Sequence, residues 1–303
     1  MEDAYAGQSI ADVERDTGLP RATIRIWERR YGFPAPLRNG RGERVYPPQQ
    51  VEQLKLMARL LELGHRPARL IDSGIEVMRK LHAEAASAAP PLSRGVSHLL
   101  DVLRGHDAVA VREELAALLQ RAGLAAFVSR DLPALCQAVG DAWAANDLEV
   151  HEEHLFCDCV YQLLLPAIAR LAPTVRAEAP VVMLTTLQDE PHGLGLLMAQ
   201  AMFALQGCAI VSLGVRLPVR QVLSACDAHD VDLLGLSFTP CQNANQVIRS
   251  LQELRGELPQ RVRIWAGGSA PVLARRQVPG VRVVQDVAHI PALLAEDFAL
   301  PPR

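Results

Sequence analysis

Residues 181–195 read Val181-Val-Met-Leu-Thr-Thr186-Leu-Gln-Asp-Glu190-Pro-His192-Gly-Leu-Gly195. The apolar run Val181–Leu184 predicts a short buried strand. The polar, Gly-containing loop that follows feeds the apolar helical stretch Leu194–Leu205. The same change of period recurs downstream. Ala209–Val211, Val231–Leu236, Val262–Trp265 and Val281–Val284 are β-rich runs, and the amphipathic stretches Pro218–His229 and Asn243–Arg255 lie between them. Strand and helix alternating about every 25 residues predict a doubly wound α/β parallel sheet covered by helices. Such a sheet binds ligands beyond the carboxyl ends of its strands, where the Glu190–Gly195 loop would stand.

Upstream, residues 93–171 are helical in period throughout. The segments Val96–Leu103, Ala108–Ala122, Leu132–Ala145 and Glu149–Leu171, separated by short polar breaks, predict a four-helix bundle. Residues 85–92 (AASAAPPL) read as a linker of small residues and proline. Residues 9–30 form two short helices: Ser9 caps the first, Asp16-Thr17-Gly18 breaks it, and Leu19-Pro20 opens the second. A Gly- and Arg-rich hairpin ending in Arg44-Val-Tyr46 follows, then the amphipathic helix Gln49–Leu63. The expected organisation is therefore an all-α winged helix-turn-helix head over residues 1–84, the bundle over 92–175 and the α/β domain over 179–303.

Composition bounds the function. A chain of 303 residues, 50% hydrophobic and 21% charged, buries a sizeable interior in two or three domains. No apolar run reaches the roughly 18 residues that span a bilayer, and the N-terminus is acidic where a signal peptide is basic and then apolar. A soluble, cytoplasmic protein with no membrane partner is expected. The six cysteines show no paired spacing, so neither a disulfide framework nor a zinc ribbon is predicted, and buried inert thiols are expected. Net charge is −3, but residues 1–80 carry +3 and Arg21–Arg44 alone +5. A basic segment on an otherwise acidic chain points to a polyanionic partner for that segment only.

On the second helix Thr23, Ile24, Trp27 and Tyr31 fall at helical spacing, while Arg21, Arg25 and Arg29 line another face. A helix-turn-helix places its second helix in the major groove, where Arg donates bidentately to guanine and Thr touches a thymine methyl. Trp27 and Tyr31 read as core residues of the small domain. The ordered strings SIADVERDTGLPRATIRIWERRYGF and RGERVYPPQQVEQLKLMARLLELG resemble the MerR family of winged helix-turn-helix regulators over roughly residues 8–75. The resemblance implies double-stranded operator DNA as partner. It places Arg21, Thr23, Arg25 and Arg29 on the recognition helix, with Arg41, Arg44 and Tyr46 reaching the backbone from the wing.

His192 follows a strand end, has a carboxylate two residues before it and glycines after it. A carboxylate that accepts from one imidazole nitrogen fixes the tautomer and frees the other nitrogen as a metal ligand. Glu190-x-His192-x-x-Gly195 resembles the signature of the cobalamin-binding domain of methionine synthase and the corrinoid mutases, a Rossmann-like fold in which the first position is usually Asp. Ser237-Phe-Thr239 follows after 41 residues and Gly267-Gly268 after a further 27, the gaps of that motif, although Thr239 stands where Leu is usual. The resemblance implies a cobalamin bound base-off, with His192 as the lower axial ligand of cobalt. Glu190, Gly193, Gly195, Ser237, Thr239, Gly267 and Gly268 would cradle it.

In the bundle, Trp143 with nine residues before Glu153-His154 resembles the CarH and LitR light-responsive repressors. The resemblance implies adenosylcobalamin with Trp143, Glu153 and His154 at its upper face, and a homo-oligomer, a tetramer in the dark. One departure stands out: relatives carry a histidine after this tryptophan that takes cobalt's upper position after photolysis, and here the residue is Ala144. His151 and His154 with Cys157 share a helix face, but no second group completes a metal site.

Three functions compete on these readings. The first is a light-sensing cobalamin-dependent repressor, in which breaking the cobalt–carbon bond changes the oligomer and operator binding. The second is a light-independent corrinoid-sensing regulator, which Ala144 favours. The third is a corrinoid methyltransferase or mutase component, which the Arg-rich head and the lack of a substrate barrel disfavour. No catalytic residue is assigned.

Overall fold

The computed structural model describes residues 7–88 and 94–302. The head begins with α1 (Ile10–Thr17) and α2 (Arg21–Tyr31). Ser9 caps α1 by accepting from the Asp12 N–H, while the Asp12 carboxylate accepts from the Ser9 N–H. Gly18, with φ 66°, supplies the left-handed exit that turns the chain into α2. The two-stranded wing β1 (Leu37–Arg38) and β2 (Arg44–Val45) pairs Leu37 with Val45. Then come α3 (Pro48–Glu62), α4 (Pro67–Ser73) and α5 (Ile75–Ala88). Val13, Leu19, Ile24, Trp27, Leu54, Met57 and Leu60 form the head's core. Helix α5 continues through Ala88, so the first half of the expected linker is helical; its remaining residues lie outside the described ones.

The bundle consists of α6 (Arg94–Arg104), α7 (Ala108–Ala122), α8 (Leu124–Ala126), α9 (Leu132–Ala144) and α10 (Val150–Ala169). One expectation is corrected here. The second and third helical segments are joined not by a polar break but by α8 and a π-helical turn, Phe127–Asp131. Phe127 and Val128 are fully buried there, so the connection is itself part of the core.

The last domain alternates strand and helix: β3 (Val181–Thr185), α11 (Leu194–Leu205), β4 (Ala209–Ser212), α12 (Val219–Ala228), β5 (Leu233–Ser237), α13 (Ala244–Glu257), β6 (Arg263–Gly267), α14 (Pro271–Arg275), β7 (Val281–Val284) and α15 (Ile290–Phe298). The five strands are parallel in the order β4-β3-β5-β6-β7. Helices α11 and α15 cover one face, in a core continuous with the bundle, and α12 and α13 cover the other. Buried Val, Leu and Ile on both faces explain why these strands read as unbroken apolar runs. Among the described residues, no helix is long and apolar enough to cross a membrane.

Candidate functional site

The strand order reverses between β3 and β5. The helix after β3 packs on one sheet face and the helix after β5 on the other. A crevice opens at such a switch point beyond the carboxyl ends of the strands. Both loops that flank it carry predicted residues: Glu190–Gly195 after β3, and Ser237–Thr239 at the end of β5.

Glu190 is fully buried and is the hub of the crevice. Its Oε1 lies 2.6 Å from His192 Nδ1 and accepts the His192 backbone N–H at 3.2 Å. Its Oε2 accepts the Thr239 amide at 2.6 Å and the Thr239 hydroxyl at 2.8 Å. The Thr186 hydroxyl donates to the Glu190 carbonyl at 2.6 Å and fixes the loop from below. With Nδ1 donating to Glu190, the lone pair of the neutral ring is on Nε2, the arrangement a metal-ligating histidine needs. Burial opposes charge on His192. The hydrogen bond and charge of Glu190, with Glu62 and Glu153, outweigh it and hold the imidazole above its ordinary pKa. Thr239, the position where the motif usually has Leu, thus adds a second donor to the same carboxylate.

Small residues bring the walls together. A Cβ on Gly195 would stand 3.0 Å from Ser237 Oγ, and Gly268, at φ +100°, packs on the Phe238 backbone. At Gly193 a side chain would collide with the Tyr161 hydroxyl of α10. The loop and the bundle thereby enclose a cavity of about 820 Å³, lined by His192, Ser237 and Gly267-Gly268 on the sheet side and by Trp143, Glu153 and His154 on the bundle side. All eleven residues expected to hold the cofactor are brought to this crevice, ten lining the cavity and Glu190 just behind His192.

The sequence reading assigned neither Cys157 nor Tyr161 to the cofactor site. Cys157 and Tyr161 follow Glu153 at steps of four and make one stripe of α10 toward the cavity, a spacing visible in the sequence. The Cys157 thiol donates to Glu153 Oε1 at 3.0 Å. Cys136 also lines the cavity, its thiol pushed up to about 12, chiefly by burial. Of the six cysteines expected to be buried and inert, Cys136 and Cys157 are half-buried at the cavity wall, and burial raises the pKa of both thiols, which keeps them protonated. Ala144 is 1% exposed and does not line the cavity; at helical spacing it follows Gly140 and Asp141 on the face of α9 that meets Arg59 of α3.

In the head, Arg21, Arg29, Arg41 and Arg44 are exposed, and Arg25 is half-buried. Arg25 and Arg44 both lie within 3.6 Å of Glu28, and Arg21 pairs with Glu14 at 2.7 Å. Thr23 is half-buried against a crevice shared with residues 239–245. The wing assignment of Tyr46 is corrected. Tyr46 is fully buried, and its hydroxyl donates to Glu28 at 2.5 Å. Burial and the Glu28 carboxylate both raise its pKa, so it is a core phenol that orients Glu28 rather than a phosphate ligand.

Comparison with known proteins agrees with both ends of the chain. Residues 8–72 match the MerR HTH family regulatory protein model, and residues 180–291 match the B12 binding domain model. The chain is 31% identical over 260 residues to the HTH-type transcriptional repressor CarH of Myxococcus xanthus, covering 84% of this chain and 86% of the relative. It is 26% identical over 245 residues to the HTH-type transcriptional repressor CarA of the same organism, covering 80% of this chain and 81% of that protein. The fold of the bundle and sheet is shared with the monomethylamine corrinoid protein of Methanosarcina barkeri, at TM-score 0.53 and 16% identity over 66% of this chain and 96% of that one. With a MerR head, a helical middle and a B12-binding sheet in the same order and over most of its length, the chain belongs to the CarH-type family of MerR transcriptional regulators.

Proposed function

We propose that this chain is a cytoplasmic, light-responsive repressor that reads operator DNA with its head and holds adenosylcobalamin base-off between bundle and sheet. The observation that carries the reading is the Glu190–His192 pair, its Nδ1 taken by the carboxylate, facing a cavity walled on the other side by Trp143 and Glu153. His192 is the lower ligand in this reading. Gly195, Ser237, Gly267 and Gly268 make room beneath it, and Trp143, Glu153 and His154 cover the upper side. Bound adenosylcobalamin supplies a cobalt–carbon bond that green or near-UV light breaks. Trp143 on α9 and Glu153 and His154 on α10 would cover the group that light removes, and a repacking of these two helices would change how copies of the chain associate. A dark tetramer presents several heads to tandem half-sites, so its dissociation lowers avidity without altering any single head. The corrinoid acts here as a switch, and no residue is assigned to catalysis.

An absorption spectrum of the protein loaded in darkness and then exposed to green light tests this, with size-exclusion elution recorded alongside. A base-off dark spectrum, a changed bound product and a smaller particle after light are expected. A second reading, a regulator of corrinoid type or level, is favoured by Ala144. A bound cofactor whose spectrum and particle size ignore light selects it.

A further inference from the structure

The nitrogen that His192 leaves free does not face open space; it faces the DNA-reading head. A Cβ built on Gly18, in the turn between α1 and α2, stands 2.8 Å from His192 Nε2 and 3.2 Å from Cε1, with no third neighbour inside 4 Å. Those distances put the turn near the plane of the imidazole, outboard of Nε2, on the lone-pair side. Metal–imidazole bonds are about 2.0–2.1 Å long, so a cobalt on Nε2 and the macrocycle around it need the volume that Thr17-Gly18 fills. Residues 14–18 line the cavity together with the cofactor residues. A cavity of about 820 Å³ is in the range of drug-sized ligands, and a corrinoid with its nucleotide tail is larger.

The head is held there by several independent contacts. Arg59 of α3 is 8% exposed and donates to Asp141 Oδ1 at 2.6 Å and to the Gln137 carbonyl at 3.3 Å, both on α9. Lys55 sits 5.5 Å from the centroid of Trp143. Cys241, two residues beyond Thr239, is 3% exposed and packs into the head's own apolar core. The same docking turns α2 onto the sheet domain. Thr23, Ile26, Trp27, Arg30 and Tyr31 share a crevice with residues 239–245 and 270–276. A major groove about 12 Å wide admits a helix, not a helix with a domain against its flank.

We propose that head docking and corrinoid loading compete for one place, the space before His192 Nε2. The cofactor-free chain holds its own recognition helix against the sheet domain, and loading releases it. The proposal rests on the cobalamin reading above. It adds a switch within one subunit to the one between subunits, and because coupling is reciprocal, whatever opposes docking favours loading by the same factor.

The test is hydrogen exchange of the full-length chain in darkness, without cofactor and loaded with aquocobalamin, with the 14–32 and 239–245 peptides followed. Loading should speed exchange of both segments by about tenfold, a usual size of coupling between linked sites. Unchanged protection in protein that carries cobalamin through gel filtration overturns the proposal. Failure of cobalamin to co-elute overturns the cobalamin reading instead, and the proposal with it. A variant gives a further test, and its DNA-binding readout needs no cofactor. Asp141→Asn weakens the Arg59 contact from the bundle side and leaves the head's sequence intact. It should raise the affinity of cofactor-free protein for duplex DNA, and speed aquocobalamin association, by about tenfold. Wild-type values for both, with the fold intact by circular dichroism, overturn the proposal as well.

Discussion

Glu190 Oε1 lies 2.6 Å from His192 Nδ1, and the other oxygen of the same carboxylate takes both the amide and the hydroxyl of Thr239. The carboxylate therefore joins the two loops of the switch point and sets which imidazole nitrogen is free. Glu190→Gln keeps the shape and removes the charge. Losing such an outer partner typically costs 10–100-fold in metal affinity, so cobalamin retention should fall by about that factor, measured by equilibrium dialysis in darkness. His192→Ala should abolish the protein's effect on the cobalt spectrum. Unchanged affinity and spectrum in His192→Ala would sink the lower-ligand assignment.

The wing separates two kinds of residue that sit two positions apart. Arg44 is exposed and Tyr46 is fully buried. If Arg44 reaches the DNA backbone as proposed, Arg44→Ala should weaken binding on all duplexes alike and lower the salt slope by about one. Tyr46→Phe removes the phenol donor from Glu28, which keeps Arg25 and Arg44 beside it, a loss of about 1–3 kcal/mol for a hydrogen bond to a charged group. It should lower the melting temperature of the head while leaving the salt slope unchanged. A salt slope that drops in Tyr46→Phe would restore Tyr46 to the DNA interface.

These two residues also mark what the sequence makes legible. The sheet was readable because parallel strands buried on both faces are short continuous apolar runs, and the sheet half of the candidate site because its residues come directly after strand ends. Ser9 and Gly18 announced the ends of α1 by their capping chemistry. Tyr46 was misplaced because its partner, Glu28, is 18 residues away and a tyrosine beside arginines fits a wing as well as a core. The Arg59–Asp141 contact spans 82 residues and the Glu190–Thr239 contact 49. Pairings over such distances are set by tertiary packing and leave no local period to read. The half-burial of Thr23 is of the same kind, being a property of where the head docks rather than of α2 itself.

Asp141 gives a pH dependence with a definite sign. Burial raises its pKa, but His82, 3.4 Å away, and the hydrogen bond and charge of Arg59 hold it below the ordinary value of 3.8. A carboxylate whose folded pKa is depressed contributes stability above its unfolded pKa and loses it as pH falls through the folded one. The contact between α3 and α9 should therefore persist across the neutral range. Removing one partner of a well-buried pair costs up to about 3–5 kcal/mol, and a partly exposed Asp141 brings this down to about 1–3 kcal/mol. The stability gap between wild type and Asp141→Asn should be constant at neutral pH and close below pH 3.8. Urea unfolding at several pH values measures it, and a gap that widens on acidification would contradict the assignment.

Ala144 bears on the chemistry of the illuminated protein. It is the last residue of α9 and is 1% exposed, on the helix face that carries Gly140 and Asp141 against α3, while its neighbour Trp143 lines the cavity. An imidazole at 144 enters packed core, and overpacking of this kind costs about 1–3 kcal/mol. Ala144→His should therefore lower the melting temperature by a few degrees, roughly 2–4 °C per kcal/mol in a domain of this size. It should give no bis-histidine spectrum after light unless α9 rotates to carry the ring into the cavity. His154, half exposed and on the cavity wall, is better placed to approach the upper side. His154→Ala should then change the spectrum of the illuminated product in the wild-type background, and the Ala144→His background should show the same change. An Ala144→His protein that keeps its melting temperature and gains a bis-histidine spectrum would mean that position 144 faces the cavity in the loaded state, and that bundle repacking precedes illumination.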